Sequence, residues 1–152
     1  MGRVKHSVVL LFAGQGAQEV GMASSLASDY EQARLLIERA DCELGKPLSR
    51  VMFSGPAEEL TRTSWCQPAL YVHGLACWEV LKERCPSIQP AAAAGLSLGE
   101  FTAHAAAGTF DFRPWGLKTT AGMLGRPAPE APKMGVQKMV KFFFTCTSYL
   151  YP

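Results

Sequence analysis

A serine flanked by glycines at residues 95–100, with the sequence GLSLGE, is the stretch of this chain best suited to covalent chemistry. Glycines two positions before and after Ser97 allow a sharp turn between a strand and a helix, which raises the serine hydroxyl above the end of the strand. The backbone N–H that follows the serine then faces the same point as the hydroxyl. The spacing predicts a nucleophile at Ser97, although a plain turn shares the same short pattern.

The elements around this turn are predicted to be parallel strands with helices between them. Residues 7–12 form a short, continuous apolar run that is typical of a strand buried on both faces of a parallel sheet. Residues 90–94 must form the strand that feeds the turn, although alanine is a poor strand former. The Ala-rich residues 101–108 predict a helix that packs closely on the sheet. The predicted fold class is therefore α/β, a parallel sheet flanked by helices.

Two longer helices are predicted between these strands. Apolar residues recur at helical spacing over residues 31–44, and Ser28 and Glu31 have the spacing of a capping box. A second helix is predicted over residues 68–81, because proline is favoured at the first helical position and Pro68 precedes an apolar run.

Composition indicates an ordinary globular domain. The chain has 152 residues, 48% of them hydrophobic, and a net charge of +2, so no overall basicity points to nucleic acid. The charge is divided unevenly, since residues 1–112 hold 9 Lys+Arg against 12 Asp+Glu and residues 113–152 hold 6 against 1. We therefore expect two segments of different character.

The cysteines and the apolar runs bear on the cellular compartment. Five cysteines are widely spaced and lack the spacing of a metal site, so we expect reduced thiols and no bound metal. The N-terminal apolar run is too short for a signal peptide, and no run approaches the roughly 20 apolar residues that a membrane span needs. We expect a cytoplasmic protein with no membrane segment.

Three motifs at fixed separations carry a family resemblance. They are FAGQGAQ at residues 12–18, CQPAL at residues 66–70 and GLSLGE at residues 95–100. Together they resemble the malonyl-CoA:acyl carrier protein transacylases, the acyltransferase family of fatty acid and polyketide synthesis. The resemblance covers residues 7–112, so residues 1–112 are interpreted as the N-terminal part of the family's large, hydrolase-like subdomain, and residues 113–152 as a divergent C-terminal segment.

The resemblance implies a ping-pong acyl transfer. Ser97 matches the serine that is acylated by malonyl-CoA and then passes the malonyl group to the phosphopantetheine thiol of acyl carrier protein. Gln15 and Leu98 match the residues whose backbone N–H groups form the oxyanion hole, and no cofactor is implied. Gln67 matches a family glutamine near the site, but a polar residue at a helix start is an equal interpretation. Glu100 is interpreted as a structural carboxylate at the positive end of a helix.

Two features of the family pattern are missing from the sequence. Family members use a histidine roughly a hundred residues beyond the serine, whereas this chain ends 55 residues after Ser97. His104 lies seven residues along the predicted helix, about 10 Å along its axis at about 1.5 Å per residue, which is too far for a hydrogen bond. The position of the family's carboxylate-binding arginine falls on Met123, and the nearby Arg126 is only a weak candidate because a proline follows it.

Two functions follow as alternatives. The first is transfer of a malonyl group through Ser97, with malonyl-CoA and acyl carrier protein as partners. The second is a truncated, catalytically impaired or inactive acyltransferase fragment that acts at most as a binding module. An ordinary esterase is disfavoured, because the Gly-Gln-Gly loop that ends at Gly16 has no place in that scheme.

Overall fold

A computed structural model describes residues 6–109. Within that range the chain forms two strands and six helices, in the order β1 His6–Phe12, α1 Ser24–Asp29, α2 Glu31–Leu44, α3 Leu48–Ser54, α4 Ala57–Thr61, α5 Thr63–Arg84, β2 Ile88–Gly95 and α6 Leu98–Ala106. The predicted α/β class, a parallel sheet flanked by helices, is confirmed. None of these helices is long and apolar enough to cross a membrane.

The two strands pair in parallel, and their carboxyl ends lie side by side. Phe12 is the partner of Gly95, so the Gly-Gln-Gly loop and the serine turn leave the sheet at the same edge. The register shifts between Val8 and Val9, which pair with Pro90 and Ala92. Pro90 has no N–H to give to the ladder, which explains an irregularity at this point. The sheet therefore brings together two motifs that are far apart in the sequence.

The two faces of β1 differ in burial. Val8, Leu10 and Phe12 are half-buried, and the Phe12 ring lies against Gly74 of α5. Val9 and Leu11 point the other way and are 57% and 78% exposed. The expectation that this strand is buried on both faces is therefore wrong for the part of the chain that the structure describes. A continuous apolar run predicted two covered faces, but only one of them packs against described helices.

The main core lies between the helices that connect the strands. Tyr71 and Val72 of α5 pack with Ile37 of α2 and with Leu48 and Met52 of α3, and all five are fully buried. Ala33 and Ala76 form a second cluster, where small side chains allow α2 and α5 to approach closely. This packing fixes α5, whose first turns lie beside the serine turn.

The starts of both longer helices differ from the prediction. Tyr30 is the N-cap of α2, whereas Ser28 lies inside the separate helix α1. The prediction of a capping box formed by Ser28 and Glu31 is therefore wrong. Helix α5 begins at Thr63, and Pro68 lies within it, five residues after its start. Proline cannot donate to the carbonyl four residues earlier, here that of Ser64. Nζ of Lys46 donates to this carbonyl at 2.6 Å, so the helix passes through Pro68 with that acceptor satisfied.

Candidate active site

Ser97 lies at the turn between β2 and α6, as the glycine spacing predicts. It is the N-cap of α6, its backbone has φ 53° and ψ −114°, and its residue surface is exposed. A positive φ is uncommon for a residue with a Cβ, and such conformations are often kept at functional sites. The sharp turn thus presents the serine hydroxyl to solvent at the start of a helix.

Small residues make this turn sterically feasible. The carbonyl group of Gly99 occupies the volume that a Cβ on Gly95 would fill, so the strand end and the first turn of α6 are in direct contact. A Cβ on Gly99 would in turn overlap the carbonyl group of Phe12 at the end of β1. The N–H of Leu96 donates to the same Phe12 carbonyl at 3.2 Å, which extends the strand pairing into the turn.

The Gly-Gln-Gly loop lies against the serine turn. A Cβ on Gly14 would be 2.6 Å from the carbonyl oxygen of Leu96, so the loop backbone is in contact with the residue before Ser97. Gln15 follows Gly14 directly and is exposed, while the side chain of Leu98 is buried at the first position of α6. Amides in the first turn of a helix have no acceptor one turn back, so the Leu98 N–H is available to a ligand.

Helix α5 contributes the third motif. Cys66 is fully buried and packs with Leu98 and Leu70 in one apolar cluster. Gln67 follows it and is half-buried. Because α5 begins at Thr63, Gln67 lies in the second turn, and its interpretation as a helix-start residue is wrong.

A hydrogen-bond network that the sequence did not indicate connects the FAGQGAQ motif with the CQPAL motif. Oε1 of Gln18 accepts from the Gly16 N–H at 2.8 Å and from the Cys66 thiol at 3.0 Å. Burial raises the pKa of the Cys66 thiol, and the hydrogen bond from the Gly16 N–H offsets part of that effect. Gln18 belongs to the FAGQGAQ motif, but its contact with Cys66 spans 48 positions and no local pattern indicates it.

Two histidines have described side chains, His73 on α5 and His104 on α6. His104 is in the last turn of α6, seven residues from Ser97, which corresponds to about 10 Å along the helix axis. His73 is in the middle of α5, with Nε2 at 3.6 Å from Sγ of Cys77. Burial lowers the pKa of His73 and raises that of the Cys77 thiol. Glu100 is exposed in the first turn of α6.

Several predicted features lie outside the described residues. Met123, Arg126 and the segment 113–152 belong to this group. Cys42, Cys66, Cys77 and Cys85 are free thiols, as expected. Among residues 6–109 no cluster of three or more His, Cys, Asp or Glu side chains could hold a metal ion.

Comparison with known families gives one domain match. The family model of the acyl transferase domain matches residues 9–112. The sequence is 41% identical over 104 residues to a malonyl CoA-acyl carrier protein transacylase of Haemophilus influenzae, covering 68% of this chain and 33% of the relative. It is 40% identical over 147 residues to the mitochondrial transacylase of Mus musculus, covering 91% of this chain and 38% of the relative. This second alignment extends beyond residue 112, where the family model ends.

The solved structures that this chain matches belong to the same class of enzyme as its sequence relatives. An acyl carrier protein S-malonyltransferase from Vibrio cholerae matches with a TM-score of 0.70 at 37% identity, covering 74% of this chain and 36% of that chain. A malonyl-transacylase in complex with its type II polyketide synthase acyl-carrier protein matches with a TM-score of 0.70 at 34% identity, again covering 74% and 36%. The chain thus spans about a third of the length of the relatives that it matches.

Proposed function

Since the chain belongs to the acyl transferase domain family, we propose that it carries the nucleophile and oxyanion hole of a malonyl-CoA:acyl carrier protein transacylase. The observation that carries the proposal is the strained backbone of Ser97, at φ 53°, in a turn against which the Gly-Gln-Gly loop packs. The names of relatives about 40% identical support malonyl-CoA and acyl carrier protein as substrates.

The reaction proceeds in two transfers through Ser97. Its Oγ attacks the thioester carbonyl of malonyl-CoA, the C–S bond breaks, and the serine proton ends on the departing CoA thiol. The phosphopantetheine thiol of acyl carrier protein then attacks the serine ester, and its proton returns to Oγ. In both steps the backbone N–H groups of Gln15 and Leu98 stabilise the carbonyl oxygen as it becomes negative. Loss of one such donor typically costs about 10²- to 10³-fold in rate.

Two further assignments complete the proposal. Residues 1–112 form the N-terminal part of the acyltransferase large subdomain and residues 113–152 a divergent segment. The end of the family match at residue 112 supports this division, whereas the alignment with the Mus musculus relative, which continues beyond residue 112, counts against it. The proposed compartment is the cytoplasm; the free thiols of all four described cysteines fit a reducing compartment of this kind.

The alternative is a chain with impaired or no catalysis that binds CoA or acyl carrier protein. It is favoured by the position of His104, which lies about 10 Å from Ser97 along the axis of α6 and is too far away to take its proton. An oxyanion hole and substrate binding alone can retain about 10³- to 10⁴-fold acceleration over water in serine enzymes. We therefore expect slow acylation of Ser97. We also expect little preference for malonyl over acetyl, because the position of the family's carboxylate-binding arginine falls on Met123.

Intact mass spectrometry after incubation with malonyl-CoA tests the proposal. A malonyl adduct that is absent from the Ser97→Ala variant supports malonyl transfer, while the absence of any adduct leaves the binding function. Single-turnover acylation with malonyl-CoA and acetyl-CoA then measures the preference. Fast and strongly malonyl-selective acylation would contradict the expected slow reaction, because it would require a base and a cation that are not among the proposed residues.

A further inference from the structure

The carboxamide of Gln18 lies between the Gly-Gln-Gly loop and helix α5. Its Oε1 is 2.8 Å from the backbone nitrogen of Gly16 and 3.0 Å from Sγ of Cys66. Gly16 belongs to the loop after β1, and Cys66 lies in the first turns of α5. One side-chain oxygen therefore joins the loop to the helix.

Both partners of this oxygen are donors. A backbone N–H can only donate, and the fully buried Cys66 thiol retains its proton because burial raises its pKa. Two donors require an acceptor between them, which the carbonyl oxygen of a glutamine provides and its amide nitrogen does not. The side-chain orientation at Gln18 is thus fixed by its surroundings.

The hydrogen bond from the Gly16 N–H to Gln18 holds the loop on the C-terminal side of Gln15. On the other side, Gly14 packs against the carbonyl oxygen of Leu96. At Gly16 a Cβ would meet nothing within 4 Å, so no comparable packing is found on this side within residues 6–109. Its φ is 109°, and a glycine can change from this backbone conformation to others at little steric cost. The Gly16 N–H is held by Oε1 of Gln18 at 2.8 Å, with a further contribution from the Cys66 thiol, and these contacts restrain the peptide between Gln15 and Gly16.

We propose that Gln18 is a positioning residue that fixes the Gln15–Gly16 peptide, and with it the Gln15 N–H, relative to Ser97. The proposal rests on the proposed function, in which that N–H stabilises the developing oxyanion. Cys66 extends the same role, because it donates to Gln18 and packs against Leu98, the residue with the second N–H donor. Gln18 and Cys66 thus connect the two halves of the oxyanion hole without contacting the substrate.

The test compares Gln18→Leu, which removes the acceptor, with Gln18→Glu, which keeps an acceptor oxygen at the same place. Gln32→Leu is the matched control, because Gln32 is exposed on α2. Amide proton exchange of Gly16 is measured by NMR on the ¹⁵N-labelled full chain. The rate of Ser97 acylation at saturating malonyl-CoA, and the concentration that gives half of it, are measured by mass spectrometry in single-turnover reactions.

In Gln18→Leu we expect the Gly16 amide to exchange about 10-fold faster, as loss of one hydrogen bond allows. The saturating acylation rate falls by about 10-fold, while the half-saturating concentration of malonyl-CoA is unchanged. In Gln18→Glu we expect the Gly16 exchange rate and the saturating acylation rate to return to within about 3-fold of those of the unaltered chain. The control changes neither.

Unchanged Gly16 exchange in Gln18→Leu would overturn the positioning role, and so would faster exchange with an unchanged acylation rate. If the unaltered chain forms no malonyl ester at all, the proposed function fails and the catalytic part of this inference falls with it. In that case Gly16 exchange still decides whether Gln18 restrains the loop.

Discussion

The carbonyl group of Gly99 occupies the volume that a Cβ on Gly95 would fill. Substituting Gly95→Ala must therefore separate the end of β2 from the first turn of α6. We expect this change to lower the free energy of unfolding by at least about 3 kcal/mol, or to prevent folding. Urea denaturation measures it. Gly108→Ala is the control, because a Cβ at Gly108 meets open space and its φ of 72° costs only about 1 to 2 kcal/mol of strain. Equal losses in the two variants would contradict the steric argument.

The backbone strain at Ser97 predicts that a glycine there stabilises the fold. A residue with a Cβ at φ 53° and ψ −114° costs about 1 to 3 kcal/mol, whereas glycine adopts this conformation freely. Because glycine also loses more entropy on folding, we expect Ser97→Gly to raise the free energy of unfolding by about 1 kcal/mol. Ser97→Ala keeps the strain and should change stability by less than about 0.5 kcal/mol. A glycine variant less stable than the alanine variant would show that the turn is not strained.

Lys46 and Pro68 should be energetically coupled through the carbonyl of Ser64. Lys46→Met removes the donor to that carbonyl, and it also removes the cation that lies 4.0 Å from the ring centroid of Trp65. We expect a loss of about 1 to 2 kcal/mol in the free energy of unfolding. In a Pro68→Ala background the substituted residue has a backbone N–H that can donate to Ser64, so the loss should shrink by about 1 kcal/mol. A double-mutant cycle by urea denaturation measures the coupling, and equal losses in both backgrounds would refute it.

His73 should make stability depend on pH. Burial lowers its folded-state pKa below the 6.5 of the unfolded chain, so the unfolded chain binds the proton more readily. The free energy of unfolding therefore falls as the pH drops through about 6.5. Between about pH 8 and about pH 5 we expect the unaltered chain to lose more stability than His73→Gln, which has no titrating ring at this position. The other histidines are common to both proteins, so parallel pH profiles would contradict the prediction.

The strands and the serine turn could be predicted because their signals are local. The apolar run at residues 7–12 matches β1 to within one residue, and the strand predicted at residues 90–94 lies inside β2. Alanine has a low strand propensity, yet the motif that follows it indicated the strand correctly. Small residues at the end of β2 are needed for the contact between Gly95 and Gly99, which explains why propensity alone would fail there.

The helix starts could not be predicted because their partners are distant in sequence. Pro68 has the pattern of a first helical position, but α5 continues upstream to Thr63, since Lys46 supplies the missing donor to Ser64. That contact crosses 18 positions, and no local pattern marks it.

In the candidate site, too, some residues have local sequence signals and others depend on distant partners. Glycine spacing, which is visible in the sequence, indicates Ser97, and the resemblance to the transacylase family implies Gln15 and Leu98 as its proposed partners. The link from Gln18 to Cys66 depends on the packing of α5 beside the loop, which only the folded chain reveals.

The parallel pairing of β1 with β2 has a consequence for synthesis on the ribosome. His6 pairs with Ile88, 82 positions later, and the strand that holds Phe12 cannot pair until Gly95 has been made. At about 5 to 20 residues per second, β1 waits roughly 4 to 16 s for its partner. During that interval its apolar run, including Val9 and Leu11, lacks its sheet neighbour, and such an unpaired apolar strand is prone to aggregation.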